Sequence, residues 1–331
     1  MTEQYILPYS LPKRLLNRAA IFLSMNIIVT GGAGFIGSHL TDALITSGHR
    51  VTVIDNLSSG RKENVNPKAG FSKADVTGKE IEKAILEPID TIFHFAAHIS
   101  VRQSILNPGH DAHQNIFGSL NVLECARRRG VKKIIFASSG GGVYGNADLI
   151  PTPEKSQIAP LSPYGMSKYA VELYLEQYFR LYGIEYSALR FANVYGPRQD
   201  PNGEAGVVAI FAGKLLSREP CLIYGEGKQT RDYIYAADCV EACVKAMQKR
   251  TKNRTFNIGT GRETSVNELF DSINRIIGES GRSKHAPAVP GEVRRSALLC
   301  DRAEDELAWK AKTKLEEGLR MTIDWFKLTG K

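Results

Sequence analysis

The stretch "VTGGAGFIG", residues 29–37, constrains this chain more than any other. It follows "NIIVT" (26–30), whose β-branched run reads as a buried strand. It leads into "FIGSHLTDALITSG" (35–48), whose apolar spacing reads as a helix closed by Gly48. Gly31, Gly34 and Gly37 have a GxxGxxG spacing, and Gly32, Gly34 and Gly37 a GxGxxG spacing. Such glycines let the backbone turn tightly and approach a pyrophosphate, which the free N–H groups and positive dipole end of the helix then hold. Phe35 and Ile36 belong to the same cofactor-binding turn. Glycine-rich turns are common, so the context carries the weight. Asp55 ends the next strand, "RVTVID", about 20 residues further on. A carboxylate there accepts bonds from the adenosine ribose and repels a 2′-phosphate, so the expected cofactor is NAD and not NADP. Asn56 can add a bond. Arg61 could bind a phosphate but weighs less than Asp55.

The alternation continues along the chain. "TIFHFAA" (91–97), a helix around 111–129, "KKIIFASS" (132–139), a helix carrying "YGMSKYAVELYLEQYFRLYG" (164–183) and "EYSALRFANVYG" (185–196) follow in turn. Strands alternating with helices predict a parallel sheet covered on both faces. The expected fold is α/β: a Rossmann-type doubly wound sheet over 25–190, with a smaller C-terminal α/β substrate domain over 191–331. Segments near 232–260 are expected to return to the first domain. "KADV" puts Asp75 and Val76 at a strand end where an adenine edge could be read. "HFAAH" puts Phe95, Ala96 and Ala97 at the next, where small residues suit close cofactor approach. His94 and His98 flank that end and are assigned no metal, and no Cys/His cluster has zinc spacing.

Composition narrows the partners. Forty-three basic against 35 acidic residues leave a formal charge of +8, which favours an acidic partner. There is no long lysine-arginine block and no nucleic-acid motif, so a phosphorylated small molecule is expected and nucleic acid is not. "ARRRG" (126–130) suits a helix C-terminus. Apolar runs fall short of the roughly 20 residues of a membrane span. The five cysteines are scattered, as in a reducing cytoplasm. Residues 1–24 carry Lys13, Arg14 and Arg18 before a short apolar run that is not a secretory signal. They are expected to be extraneous, with Met25 the working start.

"SPYGMSKYAVE" holds Tyr164 and Lys168 at i, i+4, on one helix face. A free tyrosine has a pKa near ~10, too high for a base at neutral pH. A neighbouring ammonium favours the phenolate, so the pair is expected to form a tunable acid/base. Tyr-x-x-x-Lys is common on helix surfaces. Here it follows a dinucleotide turn and a serine-bearing strand end in order.

Together these motifs, with "HFAA", "SSGGGVYG", "RFANVYGPRQDPNGEAGVVAIF" and "YGEGKQTRDYIYAADCVEA", resemble the extended short-chain dehydrogenase/reductases. Within them the resemblance is to the NAD-dependent epimerase/dehydratase family, and most closely to the UDP-glucose 4-epimerases. It runs from Met25 to the C-terminus. It implies bound NAD, a UDP-sugar substrate, the UDP-glucose/UDP-galactose interconversion through a 4-keto sugar, and a homodimer paired through the 111–129 and Tyr164 helices. Tyr164 would be the base, and Lys168 its pKa tuner and a nicotinamide ribose contact. Asn193 and Arg231 would bind the diphosphate, and Tyr224 would lie beside the uracil. The hydroxyl that bonds the reacting oxygen in this family falls on Gly140 here, and Ser139 is expected to stand in for it, ahead of Ser138.

Other departures are Val289 at a usual arginine, which Arg294 or Arg295 would have to replace, and Leu299 at a usual aspartate. Ser296 stands at a position that is bulky in epimerases confined to plain hexoses, which suggests room for an N-acetyl group. Glycines occupy the places of the Asp-Glu pair that dehydratases use, which favours epimerisation. A UDP-glucuronate 4-epimerase is the nearest alternative. A catalytically silent NAD-binding regulatory protein is disfavoured, since Tyr164 and Lys168 are both present.

Overall fold

A computed structural model describes residues 24–85, 88–202, 206–249, 251, 254–278, 281–288 and 293–330. Residues 1–23 of the expected extension, and Val289, lie outside the described residues.

The first half holds β1 (Asn26–Thr30), α1 (Phe35–Thr46), β2 (Arg50–Asp55), β3 (Gly70–Lys73), α2 (Ile81–Ala84), β4 (Thr91–His94), α3 (Val101–Leu106), α4 (Pro108–Ala112), α5 (Gly118–Arg128), β5 (Lys133–Ser139), α6 (Gly140–Tyr144), α7 (Pro163–Tyr182) and β6 (Glu185–Phe191). The second half adds β7 (Asn193–Tyr195), α8 (Val207–Leu216), β8 (Cys221–Tyr224), β9 (Thr230–Arg231), β10 (Tyr233–Tyr235), α9 (Ala236–Gln248), β11 (Arg254–Ile258), β12 (Thr264–Ser265), α10 (Val266–Ile277), β13 (Ser283–Ala286), α11 (Asp301–Leu307) and α12 (Leu315–Thr329).

Seven strands make one sheet in the order β11-β6-β5-β4-β1-β2-β3. Every pairing in it is parallel. The order 3-2-1-4-5-6 is that of a Rossmann fold, and β11 extends it by one strand. The strands are apolar on both sides because helices cover both faces. Leu40 and Leu44 of α1, with Val240, Cys243 and Met247 of α9, pack on one face. Val122 and Leu123 of α5, with Val171 and Leu175 of α7, pack on the other. So α9 and β11, from the second half of the chain, are built into the first sheet. A separate core joins α8, α10 and α12 through Phe211, Leu269, Phe270, Leu319 and Phe326.

Two local departures from the expected elements matter for the site. β4 stops at His94; the Phe95 N–H still bonds Thr30 O, and beyond it the Phe95 and Ala96 N–H groups share Thr30 Oγ1. The expected 111–129 helix is α4 and α5 joined by a π-helical turn, His113–Phe117. Within it, Asn115 Nδ2 donates to Asp111 Oδ1 and Ser119 Oγ donates to Asn115 O.

Candidate active site

Between β1 and β4 the sheet order reverses, and it is at such a reversal that open parallel sheets bind their ligands, beyond the strand ends. Gly31 turns the chain there with φ +71°, and a Cβ on it would lie 2.6 Å from Ala96 N. Only glycine permits that approach. α1 then begins at Gly34 with no side-chain cap and no acidic residue in its first turn. Its leading N–H groups are therefore left for an anion. Asp55 is buried and draws the turn around itself, Oδ2 accepting from Ala33 N at 3.0 Å and Oδ1 from Leu57 N at 2.8 Å. A carboxylate has further lone pairs, so ribose hydroxyls can still bond to it. Asn56 Nδ2 donates to Asp75 Oδ2, and Thr77 holds Asp75 Oδ1. Burial works against that carboxylate, but the Thr77 and Asn56 bonds lower its pKa. Val76 is buried, facing Gly118 of the α5 start. These residues fit a dinucleotide: the turn is a cradle that a Cβ would fill, with an anion-accepting helix end and an acceptor beside it.

Tyr164 owes its place to the start of α7. Ser162 caps that helix by accepting from Gly165 N, and Pro163 sits in the first turn. Gly165 lets α7 rest on α6, since a Cβ there would lie 2.1 Å from Gly142 O. Ser139, at the end of β5, caps α6 by accepting from Gly142 N at 3.2 Å, and its hydroxyl borders Gly142 together with the Tyr164 ring: a Cβ on Gly142 would lie 3.0 Å from Ser139 Oγ and 3.3 Å from Tyr164 Cε1. Lys168 Nζ donates to Ala137 O at 2.9 Å and lies 5.8 Å from the Tyr164 ring centroid. The three expected catalytic side chains thus converge at the end of β5.

One expectation is corrected here. The spacing predicts that Lys168 pulls the Tyr164 pKa down. Burial instead pushes the phenol up to about 12, against the Ser139 hydroxyl, and Asp111 adds to the rise. Burial also brings the Lys168 ammonium down to about 8, against the pull of Asp111 and Glu172. The reason is that both groups are desolvated, and that Lys168 Nζ is turned to a backbone carbonyl.

The serine question has a packing answer. A Cβ at Gly140 would stand 2.6 and 2.7 Å from the two Leu298 methyls. Leu298 is itself buried with Val143 and Tyr144, so the space beside Gly140 is filled from elsewhere in the chain. Ser138 is committed to Glu172 Oε1 at 2.5 Å, and Glu172 is ion-paired with Arg190. Ser139 is the hydroxyl that meets Tyr164.

In the second half of the chain, exposed Asn193 opens β7 and donates its N–H to Asp232 O. Tyr224 ends β8, with the Arg102 guanidinium 5.8 Å from its ring centroid. Arg231 lies in β9 and donates to Thr230 O at 2.8 Å. The Asp232 carboxylate takes bonds from Thr260, Gly261 and Leu298, and Asp238 from Thr313. Arg295 is ion-paired with Glu263, while Arg294 is exposed and its carbonyl accepts from Thr230 N. Ser296 Oγ lies 3.6 Å from where a Cβ on Gly141 would stand, so it borders the glycine turn beside Ser139.

Sequence reasoning passed over Asp111, Asn115 and Ser167, a buried polar cluster behind the pair. The polar i, i+4 spacing of Asp111 and Asn115 on a helix facing the sheet was the available signal.

The model of the NAD dependent epimerase/dehydratase family matches residues 27–259. The UDP-glucose 4-epimerase of Mycolicibacterium smegmatis is 43% identical over 309 residues, 92% of this chain and 99% of that protein. The crystal structure of a UDP-glucose 4-epimerase from Thermotoga maritima with UDP-glucose is 48% identical, with a TM-score of 0.91, covering 93% of this chain and 100% of the other. A UDP-N-acetylglucosamine 4-epimerase from Methanobrevibacter ruminantium, solved with UDP-N-acetylmuramic acid, is 37% identical with a TM-score of 0.88, covering 93% and 100%.

Proposed function

Because the chain belongs to the NAD dependent epimerase/dehydratase family, we propose that it interconverts UDP-glucose and UDP-galactose, and also accepts the N-acetylated pair. It is a UDP-glucose 4-epimerase-like enzyme with NAD as cofactor. One observation carries the reading. Tyr164, Ser139 and Lys168 converge at a strand end whose following turn, Gly140–Gly142, has no carboxylate to expel a hydroxyl.

The Gly31–Gly37 turn, Asp55 and the Phe95–Ala97 strand end would hold the cofactor. When bound, NAD supplies the hydride acceptor and donor for C4 of the sugar, and its oxidised ring adds positive charge that favours the phenolate. Tyr164 takes the proton of the 4-hydroxyl and later returns it. Ser139 donates to the reacting oxygen and holds it against Tyr164. Lys168, as an ammonium, offsets the charge that Tyr164 gains. Asn193 and Arg231 hold the diphosphate, while Tyr224 packs on the uracil. With the diphosphate held, the 4-keto sugar turns about it and presents its other face. Ser296 leaves space for an acetamido group, which the named substrate class of the Methanobrevibacter relative supports.

The same reading makes the protein a homodimer. Met166, Leu173 and Leu181 lie on one side of α7 and are 61%, 55% and 59% exposed, as is apolar Phe117 before α5. The cytoplasm is the compartment this reading expects, and the five free cysteines support it; no described helix is long and apolar enough to cross a membrane.

The test is to purify the protein, measure retained NAD, and assay UDP-galactose, UDP-N-acetylgalactosamine and UDP-glucuronate in parallel. Turnover of the first two is expected. Replacing Tyr164 with Phe should abolish turnover with NAD still bound. Turnover of UDP-glucuronate alone would move the reading to the acidic sugar, and full activity in the Tyr164→Phe variant would end it.

A further inference from the structure

Asp111 is fully buried on α4. Its Oδ2 accepts a 2.6 Å bond from Ser167 Oγ, the residue just before Lys168. Its Oδ1 accepts from Asn115 Nδ2 at 2.9 Å and lies 3.5 Å from His98 Nδ1. Asn115 also clamps the backbone of His98, accepting from its N–H at 2.8 Å and donating to its carbonyl at 2.9 Å. A carboxylate buried this deeply is costly unless charged and polar partners surround it. Here α7, the π-helical turn and the segment after β4 each supply one. The hydride and proton transfers proposed above use none of these groups.

Asp111 sits behind the pair through Ser167, the neighbour of Lys168 in α7. Its negative charge favours the protonated form of Tyr164 and of Lys168 alike. The other ionisable groups around the pair are accounted for. Glu172, on α7 itself, is ion-paired with buried Arg190. His94, at the end of β4, is held neutral by burial, its pKa lowered to about 3, and bonds to Thr30 and Ser119. His98 faces Asp111 from beyond β4, and His110 stacks edge-on against His98.

We infer that Asp111 is a positioning residue that sets the pH range in which the Tyr164–Lys168 pair works, its charge holding both protons while its bond to Ser167 fixes the turn that carries Lys168. The kinetic consequence rests on the epimerase reading; the electrostatic one does not.

The sign follows from charge. Removing a carboxylate makes the ammonium easier to lose and the phenolate easier to form, so both groups titrate at lower pH. Asp111→Asn keeps the size and an acceptor for Ser167. The first measurement is an NMR titration of protein labelled in its lysine side chains, with the Lys168 signal assigned by its loss in Lys168→Met. The Lys168 midpoint is expected to fall by about one unit or more in Asp111→Asn. At a pH above both midpoints that leaves about a tenfold smaller ammonium fraction. An unmoved midpoint overturns the inference, and this readout stands whatever the enzyme's substrate is.

The second measurement is the pH profile of kcat with UDP-galactose. Both limbs should move together to lower pH in Asp111→Asn. A lower plateau with unmoved limbs would mean a merely structural role and would overturn the inference. Ser167→Ala, which keeps the charge and loses the bond, should lower the plateau and leave the limbs in place. If Asp111→Asn does not fold, Asp111→Glu decides. It keeps the charge, so the limbs and the Lys168 midpoint should stay, and a shift of either sinks the idea. Native protein with no UDP-sugar turnover would end the epimerase reading alone, because the NMR titration still tests Asp111.

Discussion

At Ser139 one hydroxyl closes the first turn of α6 and borders the Tyr164 ring across Gly142. The Ser139→Ala variant should therefore lose kcat by about 100-fold, with KM much less affected, because a donor aimed at developing charge acts mainly in the transition state. Steady-state kinetics checks this, and full activity would show that another group serves the reacting oxygen. The residue was legible in the sequence as the nearest substitute for an absent hydroxyl. Why Ser139, and not Ser138, faces Tyr164 was not legible. That depends on Leu298 filling the space at Gly140 and on Glu172 engaging Ser138, two contacts from distant parts of the chain. The Tyr164 pKa shows the same limit. Helical spacing brings Lys168 to the same face, yet the direction of the shift is decided by burial, which no spacing reports.

At the scale of the element, the seam between α6 and α7 is where the site is assembled. Gly165 contacts a backbone carbonyl, Gly142 O, which cannot swing aside as a side chain could. Gly165→Ala should destabilise the protein by about 1–3 kcal/mol, the usual range for overpacking. It should also lower kcat, since Tyr164 is the adjoining residue. Urea denaturation followed together with turnover measures both, and a variant with native stability would mean that the seam is looser than drawn. Long periodic elements were legible from the sequence: β1, α1, β2, β5, α7 and β6 lie where their patterns put them. The short ones were not. The three glycines Gly140–Gly142 carry no apolar pattern, yet they open α6, whose first turn Ser139 caps and whose Gly140 is buried against Leu298. The π-helical turn also left no trace in the apolar spacing.

At the scale of the whole molecule, the second half of the chain does not stay apart from the first. It contributes β11 and α9 to the main sheet and then builds its own core. The alternating pattern of the first half announced the sheet, and segments near 232–260 were expected to return to it; the register in which β11 pairs with β6 carries no local signal. The uncovered apolar side of α7 gives a prediction at this scale. The native protein should sediment as a dimer, and Leu173→Glu should give a monomer that still holds NAD. A monomeric native protein at micromolar concentration would refute the pairing. Gly140 and Leu298 are also a coupled pair. Two positions far apart in sequence share one space, so neither can change freely. Gly140→Ser alone would crowd Leu298, and Leu298→Ala alone would leave a void. The two changes together would partly fill each other's defect, so their effects on stability are expected to be non-additive.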